Sequence, residues 1–332
     1  MASAGRPRAI VVLGALVAAA LASIGIALAT GSVAVDMGSL LHALAGDLTD
    51  SHAAIVRELR LPRALAGFAV GALLALAGAL MQVLLRNPLA DPYVLGISGG
   101  AAVGALAALF VGIAALVMPA AFVGAFASTL IVFGLARAGA DHAPWTAMRL
   151  LLTGVVIAAG WGALIALLLT LAPDAQIRGM LFWLLGDLTA PPSPLPALAV
   201  LIVVLAVALA FARDMNVLSR GDDVASALGV AVPRATLALH ATAALATAVA
   251  VTTAGTVGFV GLIVPHALRI VIGNDQRVLL PAVALAGGTL LVLADTIART
   301  IVAPVQLPVG VITALIGVPA FLYLLTRSGV RT

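Results

Sequence analysis

Side chains able to do chemistry are scarce in this chain, and the types that are missing narrow the possibilities first. No cysteine occurs, which removes disulfides, thiolate nucleophiles and thiolate-held zinc or iron–sulfur clusters. All 17 residues counted as lysine or arginine are arginine, so there is no lysine for a phosphate-binding P-loop or a Schiff base. If ATP drives this protein, another chain hydrolyses it. His240 and His266 fall in apolar stretches, and no pair of histidines stands at ligand spacing. A lone histidine packed against neighbouring helices explains each. We read the chain as a non-enzyme that binds no metal or cofactor.

Three polar constellations remain. The first is Arg86-Asn87-Pro88-Leu89-Ala90-Asp91-Pro92-Tyr93, an irregular turn followed directly by Gly96-Ile97-Ser98-Gly99-Gly100. Such backbone at membrane depth is tolerated where protein covers it or where it lines a wet cavity. It therefore suits the mouth of a pathway. The second is the insertion 213–234, where Gly221-Asp222-Asp223-Val224-Ala225-Ser226-Ala227-Leu228-Gly229 reads as a short helix. Acidic residues stand at its start, where the helix dipole favours them, and glycine closes it. A two-turn helix is marginal alone, and this one lacks the basic and aromatic faces of a lipid-surface helix, so it calls for a partner surface. The third is a basic set, Arg57, Arg60, Arg63 and the distant Arg299. Pro62 suits a first helical turn, which leaves Arg63 near a helix N-terminus, where a positive charge is disfavoured unless something acidic offsets it.

The elements that position these groups follow from composition. The 332 residues are 63% hydrophobic and 9% charged, against roughly 25% charged in ordinary soluble domains. With mean hydropathy +1.23, the solvent of this chain is mostly lipid, and soluble enzymes and nucleic-acid readers are excluded. Charge-free stretches run over 9–35, 64–85, 92–136, 150–173, 188–212, 235–268, 278–294 and 300–326. The third and sixth exceed the roughly 20 residues of one span and break at Gly112–Pro119 and Thr252–Gly258. The reading is an all-α integral membrane protein of about ten transmembrane helices in a single domain, 1–332, its first stretch an uncleaved span. Alternating the loops puts twelve arginines on the side of the termini and five opposite, which places both termini in the cytoplasm. A weak internal echo links Leu61-Pro62-Arg63-Ala64 with Val232-Pro233-Arg234-Ala235, as in inverted repeats of transporters. Small residues such as Gly67, Gly71 and Gly78 let helix backbones approach closely.

Several runs identify a family. Leu59-Arg60-Leu61-Pro62-Arg63, Gly78-Ala79-Leu80-Met81-Gln82, Arg86-Asn87-Pro88-Leu89-Ala90-Asp91-Pro92 and Leu95-Gly96-Ile97-Ser98-Gly99-Gly100-Ala101 strongly resemble the FecCD-type permeases of ABC importers for ferric siderophores, haem and cobalamin. In the second half Gly258-Phe259-Val260-Gly261-Leu262-Ile263-Val264-Pro265-His266, Ala294-Asp295-Thr296-Ile297-Ala298-Arg299 and Leu307-Pro308-Val309-Gly310 continue the match in order. The resemblance implies the type II ABC importer permease fold: a permease homodimer in the bacterial inner membrane around one pathway, with two cytoplasmic ATPase subunits that bind ATP and Mg, and a periplasmic substrate-binding protein. By that resemblance Asp222, Asp223, Val224, Ala225, Leu228 and Gly229 form the ATPase-coupling helix. Arg60, Arg63 and Arg299 receive acidic side chains of the binding protein. Asn87, Leu89, Ala147 and Met148 contribute to the cytoplasmic gate, and Phe182 and Trp183, in a short periplasmic-side helix near 175–187, to an outer gate. The pair Ala147 and Met148 departs from the small hydroxyl residues associated with the cobalamin permease. An iron chelate, haem or ferric siderophore, is the cargo favoured, with cobalamin as the alternative. A rival from another class, an ion-coupled carrier, needs carboxylates inside the spans, and the sequence offers almost none.

Overall fold

The computed structural model describes residues 6–31, 35, 38, 39, 42, 43, 51–137, 147–189 and 193–327, which form helices and connections with no strand among them. α1 is Arg6–Ala29. Ser51–Ala54 and a π-helical turn, Ile55–Arg60, lead without a break into α2, Leu61–Leu84, whose Pro62 sits in the first turn, where a missing N–H is harmless. α3, Ile97–Val111, lies between Gly96 and Gly112, whose left-handed backbone (φ 69° and 81°) only glycine adopts at no steric cost. α4 is Val117–Arg137, α5 is Ala147–Leu171 and α6 is Asp174–Leu184. α7, Leu195–Ala210, bends by 58° into α8, Ala212–Leu218. The six-residue α9, Asp222–Ala227, follows, then α10, Val232–Ala254, which like α2 carries a proline in its first turn. α11, Val260–Ile272, starts after a second break at Gly255 (φ 67°). α12, Gln276–Thr300, is capped by Asp275, whose carboxylate accepts the Arg277 N–H at 3.1 Å, and α13 is Val309–Arg327.

Both breaks expected inside the long apolar stretches are present, and each of the ten stretches that result holds a helix among the described residues. Among the described residues, six helices are long and apolar enough to cross a bilayer: α1, α2 with its lead-in, α4, α5, α10 and α12. The bent α7–α8 pair makes a seventh, while α3, α11 and Val309–Leu324 of α13 are apolar but shorter. At 13 residues α11 is about 20 Å long, well under the roughly 30 Å of a hydrocarbon core. The shortening has a structural reason, since irregular backbone at 85–96 and 255–259 takes up the rest of those spans.

α2 is the axis of the bundle. Nearly all of it from Ala66 to Val83 is buried, with α7, α10, α11 and α12 packed around it. Lipid tails give helices no hydrophobic drive to associate, so close van der Waals packing must hold them. Glycine makes that contact possible: a Cβ at Gly71 would strike the Gly287 carbonyl of α12, and one at Gly78 the Gly261 carbonyl of α11. Gly100 and Gly124 bring α3 and α4 together in the same way. α1 lies against α12, and α5 rests on one side against α3 and α4 with its other face open.

Candidate functional site

Two of the three constellations lie side by side at one end of the bundle and the third at the opposite end. At one end, α2 stops at Leu84 and the chain turns at Arg86, whose left-handed backbone (φ 48°) is uncommon outside glycine. The turn is tightly bonded. Asn87 donates its N–H to the Gln82 carbonyl at 3.2 Å, its side chain accepts the Leu89 N–H at 2.9 Å, and its carbonyl accepts the Ala90 N–H at 3.0 Å. Asn87 and Leu89 point outward, while Ala90 is buried. Asp91 then accepts the Tyr93 N–H at 2.8 Å and starts the short 3-10 turn Pro92–Leu95.

Beside this turn lies α9. Gly221 (φ 114°) precedes it, and Gly229 (φ 83°) ends it in a Schellman-type closure, with Val230 N–H bonded to the Ala225 carbonyl at 2.9 Å. Ala225 is fully buried, and Val224 and Leu228 are exposed at 43% and 60%. Asp222 and Asp223 face outward, and Asp222 reaches the Arg86 guanidinium at 2.6 Å. α8 is tied to α12 as well: Asn216 donates to Asp275 at 3.0 Å and accepts the Gln276 N–H at 2.9 Å. A polar cleft of about 250 Å³, lined by Gln82, Arg86, Ser219, Arg269, Asn274 and Gln276, opens next to these links. Sequence reading found α9 but neither its bond to Arg86 nor the bond of α8 to Asp275 at the start of α12, because partners 136 and 59 residues apart leave no local signal.

At the opposite end the structure brings Arg60, Arg63 and Arg299 together. The acidic group that Arg63 requires comes from within the chain, where Asp295 binds it at 2.8 Å and 2.9 Å and Gln306 accepts a further bond at 2.9 Å. Arg299 lies 3.9 Å from the same carboxylate and donates to the Ala27 carbonyl. Arg60 donates to the Leu28 carbonyl at 2.7 Å and the Ala29 carbonyl at 3.2 Å. The π-helical turn sets this arrangement, burying Val56 and Arg60 while leaving Arg57, Glu58 and Leu59 exposed. The three arginines thus hold the end of α1 against α2 and α12, and Arg57 is the outward-facing arginine of the set.

Between the two ends, several broken elements meet. Tyr93 donates its hydroxyl to the Val257 carbonyl at 3.0 Å and accepts the Val257 N–H at 3.0 Å. Thr256 donates to the Leu184 carbonyl at the end of α6. Asp187 N–H bonds to the Ala254 carbonyl at 2.8 Å, and Val309 and Gly310 donate to the Gly186 and Leu185 carbonyls, each at 3.0 Å. Unpaired backbone groups are costly away from water, and here the broken ends satisfy one another. Phe182 and Trp183 stand half-buried on α6, with Arg178 over the Phe182 ring at 5.6 Å. Ala147 and Met148 begin α5, and their side chains lie outside the described residues. His240 donates from Nδ1 to the Thr236 carbonyl at 2.8 Å and meets the Phe133 ring edge-on at 5.4 Å. Among the described residues, no three histidine, aspartate or glutamate side chains cluster to hold a metal.

Comparison with known proteins agrees with this architecture. The model of the FecCD transport family matches residues 16–327. The cobalamin import system permease protein of Halobacterium salinarum is 47% identical over 281 residues, covering 83% of this chain and 74% of that protein. The hemin transport system permease protein of Yersinia pestis is 42% identical over 280 residues, covering 82% and 83%. Among solved structures, an inward-facing conformation of a metal-chelate type ABC transporter superposes with a TM-score of 0.81 at 27% identity, covering 96% of this chain and 99% of that one.

Proposed function

The chain belongs to the FecCD transport family, and on that premise we propose how its parts move a cargo. It is the transmembrane permease subunit of an ABC importer for metal chelates, the class to which its named relatives belong. The energy comes from an ATPase partner and not from this chain. Two copies of the permease enclose the pathway, two ATPase subunits bind ATP and Mg below, and a substrate-binding protein delivers cargo from outside. Both termini face the cytoplasm, which puts α9 on the ATPase side and the Arg60 end on the delivery side.

The observation that carries this reading is α9, a short helix held to the bundle through Ala225 and Arg86 while Val224 and Leu228 stay exposed beyond the spans. Exposed apolar side chains on a short, ordered helix fit a groove in a partner. On this reading Asp222, Asp223, Val224, Ala225, Leu228 and Gly229 make the coupling surface, and closure of the ATPases on ATP moves it. Asn87, Leu89, Ala147 and Met148 form the inner gate and Phe182 and Trp183 the outer one. α5 joins these gates, since it begins at Ala147 and leads through Pro173 into α6, and it is the least buried of the six long spans. Its open face lines the pathway against the second copy. Three arginines against one aspartate leave the Arg60 end net positive, and the exposed Arg57 offers that charge to acidic groups of the binding protein.

We assign the cargo as an iron chelate, haem or ferric siderophore, with cobalamin as the alternative. The test is uptake into proteoliposomes holding permease and ATPase, with ATP inside and binding protein outside, across labelled haem, a ferric-siderophore set and cobalamin. Accumulation of haem or a ferric siderophore only with ATP and binding protein supports the assignment, and accumulation of cobalamin alone replaces it. Uptake that follows an imposed ion gradient without ATP would establish the carrier reading. The structure gives that rival little footing at Asp295, the carboxylate within α12, which has both oxygens engaged by Arg63.

A further inference from the structure

The links at the α9 end and those in the middle of the bundle form one connected series. Asp222 on α9 holds Arg86, and the turn from Arg86 to Tyr93 is hydrogen-bonded at nearly every step. Tyr93 then grips Val257 through both of its backbone polar groups, and the adjacent Thr256 holds the end of α6, where Phe182 and Trp183 stand. The segments that would have to swing lie at sharp backbone turns and not inside helices: Arg86, Gly96, Gly186, Gly255 and Phe259 all have positive φ. Hinges are residues of this kind, placed at the ends of elements where a change of φ and ψ is absorbed locally.

From this geometry we propose that Tyr93 is a positioning residue that couples the two gates, its hydroxyl carrying displacement of the coupling helix from the Arg86–Tyr93 turn to the Gly255–Phe259 break and so to α6. The proposal rests on the permease reading and adds to it a named connection between the gates. Val257 lies outside any helix, so the Tyr93 hydroxyl is the partner of both its N–H and its carbonyl. If the turn moves without the break, those groups are stranded in an apolar setting, which forces the two to move together. Spatial continuity alone does not establish coupling, and a measurement on each side of Tyr93 is needed.

The absence of cysteine makes that measurement direct. One cysteine is placed at Ser226, exposed on α9, and in a separate chain one at Gly179 on α6, where an added side chain meets nothing within 4 Å. Labelling rates by a soluble thiol reagent are compared with and without a non-hydrolysable ATP analogue, in the permease–ATPase complex in nanodiscs. Each reporter is combined with Tyr93→Phe, which removes only the hydroxyl, and with Thr256→Val, which cuts the next link should the first variant fail to insert. The expected result is a nucleotide response at 226 in every chain, and at 179 a response that falls by about tenfold in both variants, the change that loss of a neutral hydrogen-bonded pair makes in an equilibrium. An undiminished response at 179 in both variants overturns the coupling role and leaves the permease reading standing. Loss of the response at 226 as well marks a merely structural role and also overturns it. No response at either site in the parent overturns the inference together with the ATP-driven reading.

Discussion

Arg63–Asp295 and Arg86–Asp222 are the same chemical pair in two settings, and their settings decide what each contributes. The side chains of the first are exposed at 12% and 7%, those of the second at 43% and 52%. Removing one partner of a buried pair strands a charge in a poor solvent and costs about 3–5 kcal/mol, while an exposed pair is worth about 0–1 kcal/mol. Asp295→Ala should therefore lower the thermal midpoint of the detergent-solubilised permease markedly, and Asp222→Ala should barely move it. Equal shifts in a differential scanning experiment would contradict the assignment. For transport the proposed reading reverses the order: with Asp222 in the connection that moves, its loss should cut uptake in a chain that still folds. This contrast also shows what single residues disclose in a sequence. Arg63 beside Pro62 announced the need for an acidic neighbour, and the helix dipole gave the reason. That the neighbour is Asp295, 232 positions away, is a property of the packed bundle.

Helices were the most legible level, since a span is a composition rule and its ends are glycine and proline chemistry. The breaks near Gly112 and Gly255 follow from residues that leave the helical region at no cost, and α9 from two aspartates before a short apolar run closed by glycine. What the pattern did not disclose is that the turn beginning at Arg86 reaches the second break, which leaves α11 short. Charge gaps record where polar groups are absent, and an irregular apolar backbone whose groups bond to one another looks like a span. The close helix contacts give a prediction at this scale. Gly78→Val places a branched side chain against the Gly261 carbonyl and must push α11 from α2, at a cost of about 1–3 kcal/mol or more for overpacking. Gly14→Ala on α1 meets nothing within 4 Å and should leave stability unchanged or slightly raised, since alanine favours helix. Thermal midpoints of the two variants, measured side by side, check this; a destabilised Gly14→Ala with a silent Gly78→Val would reverse the packing scheme.

At the scale of the whole molecule, apolar faces lie open on α1, α4, α5, α7 and α13 among the described residues, and of the two least buried long spans, α1 and α5, only α5 carries proposed gate residues. α1 is fastened at its far end by Arg60 and Arg299 and carries no gate residue, so its face suits lipid. α5 exposes Leu152, Val155, Val156 and Leu167, and Gly160 and Gly162 on it would accept a side chain into empty space. On the proposed reading α5 joins both gates, and since it packs on one side only, against α3 and α4, its open face completes its packing with a second copy. The prediction follows from the geometry of disulfides, which form only when two Cα atoms come within about 7 Å. Single cysteines scanned along this face, at Val156, Gly160 and Gly162, should yield a covalent permease dimer on mild oxidation at one or more positions. A cysteine at Gly14 on α1, equally free of neighbours, should remain monomeric under the same oxidation. Dimer formation through α1 with none through α5 would move the pathway to the other side of the bundle, and the inner gate at Ala147 and Met148 would lose its place beside it. Dimer formation at both faces would show collision between copies and no specific interface. ATP should alter the α5 yield if the face lines the pathway, because a channel that alternates its opening must change the distance between its two walls.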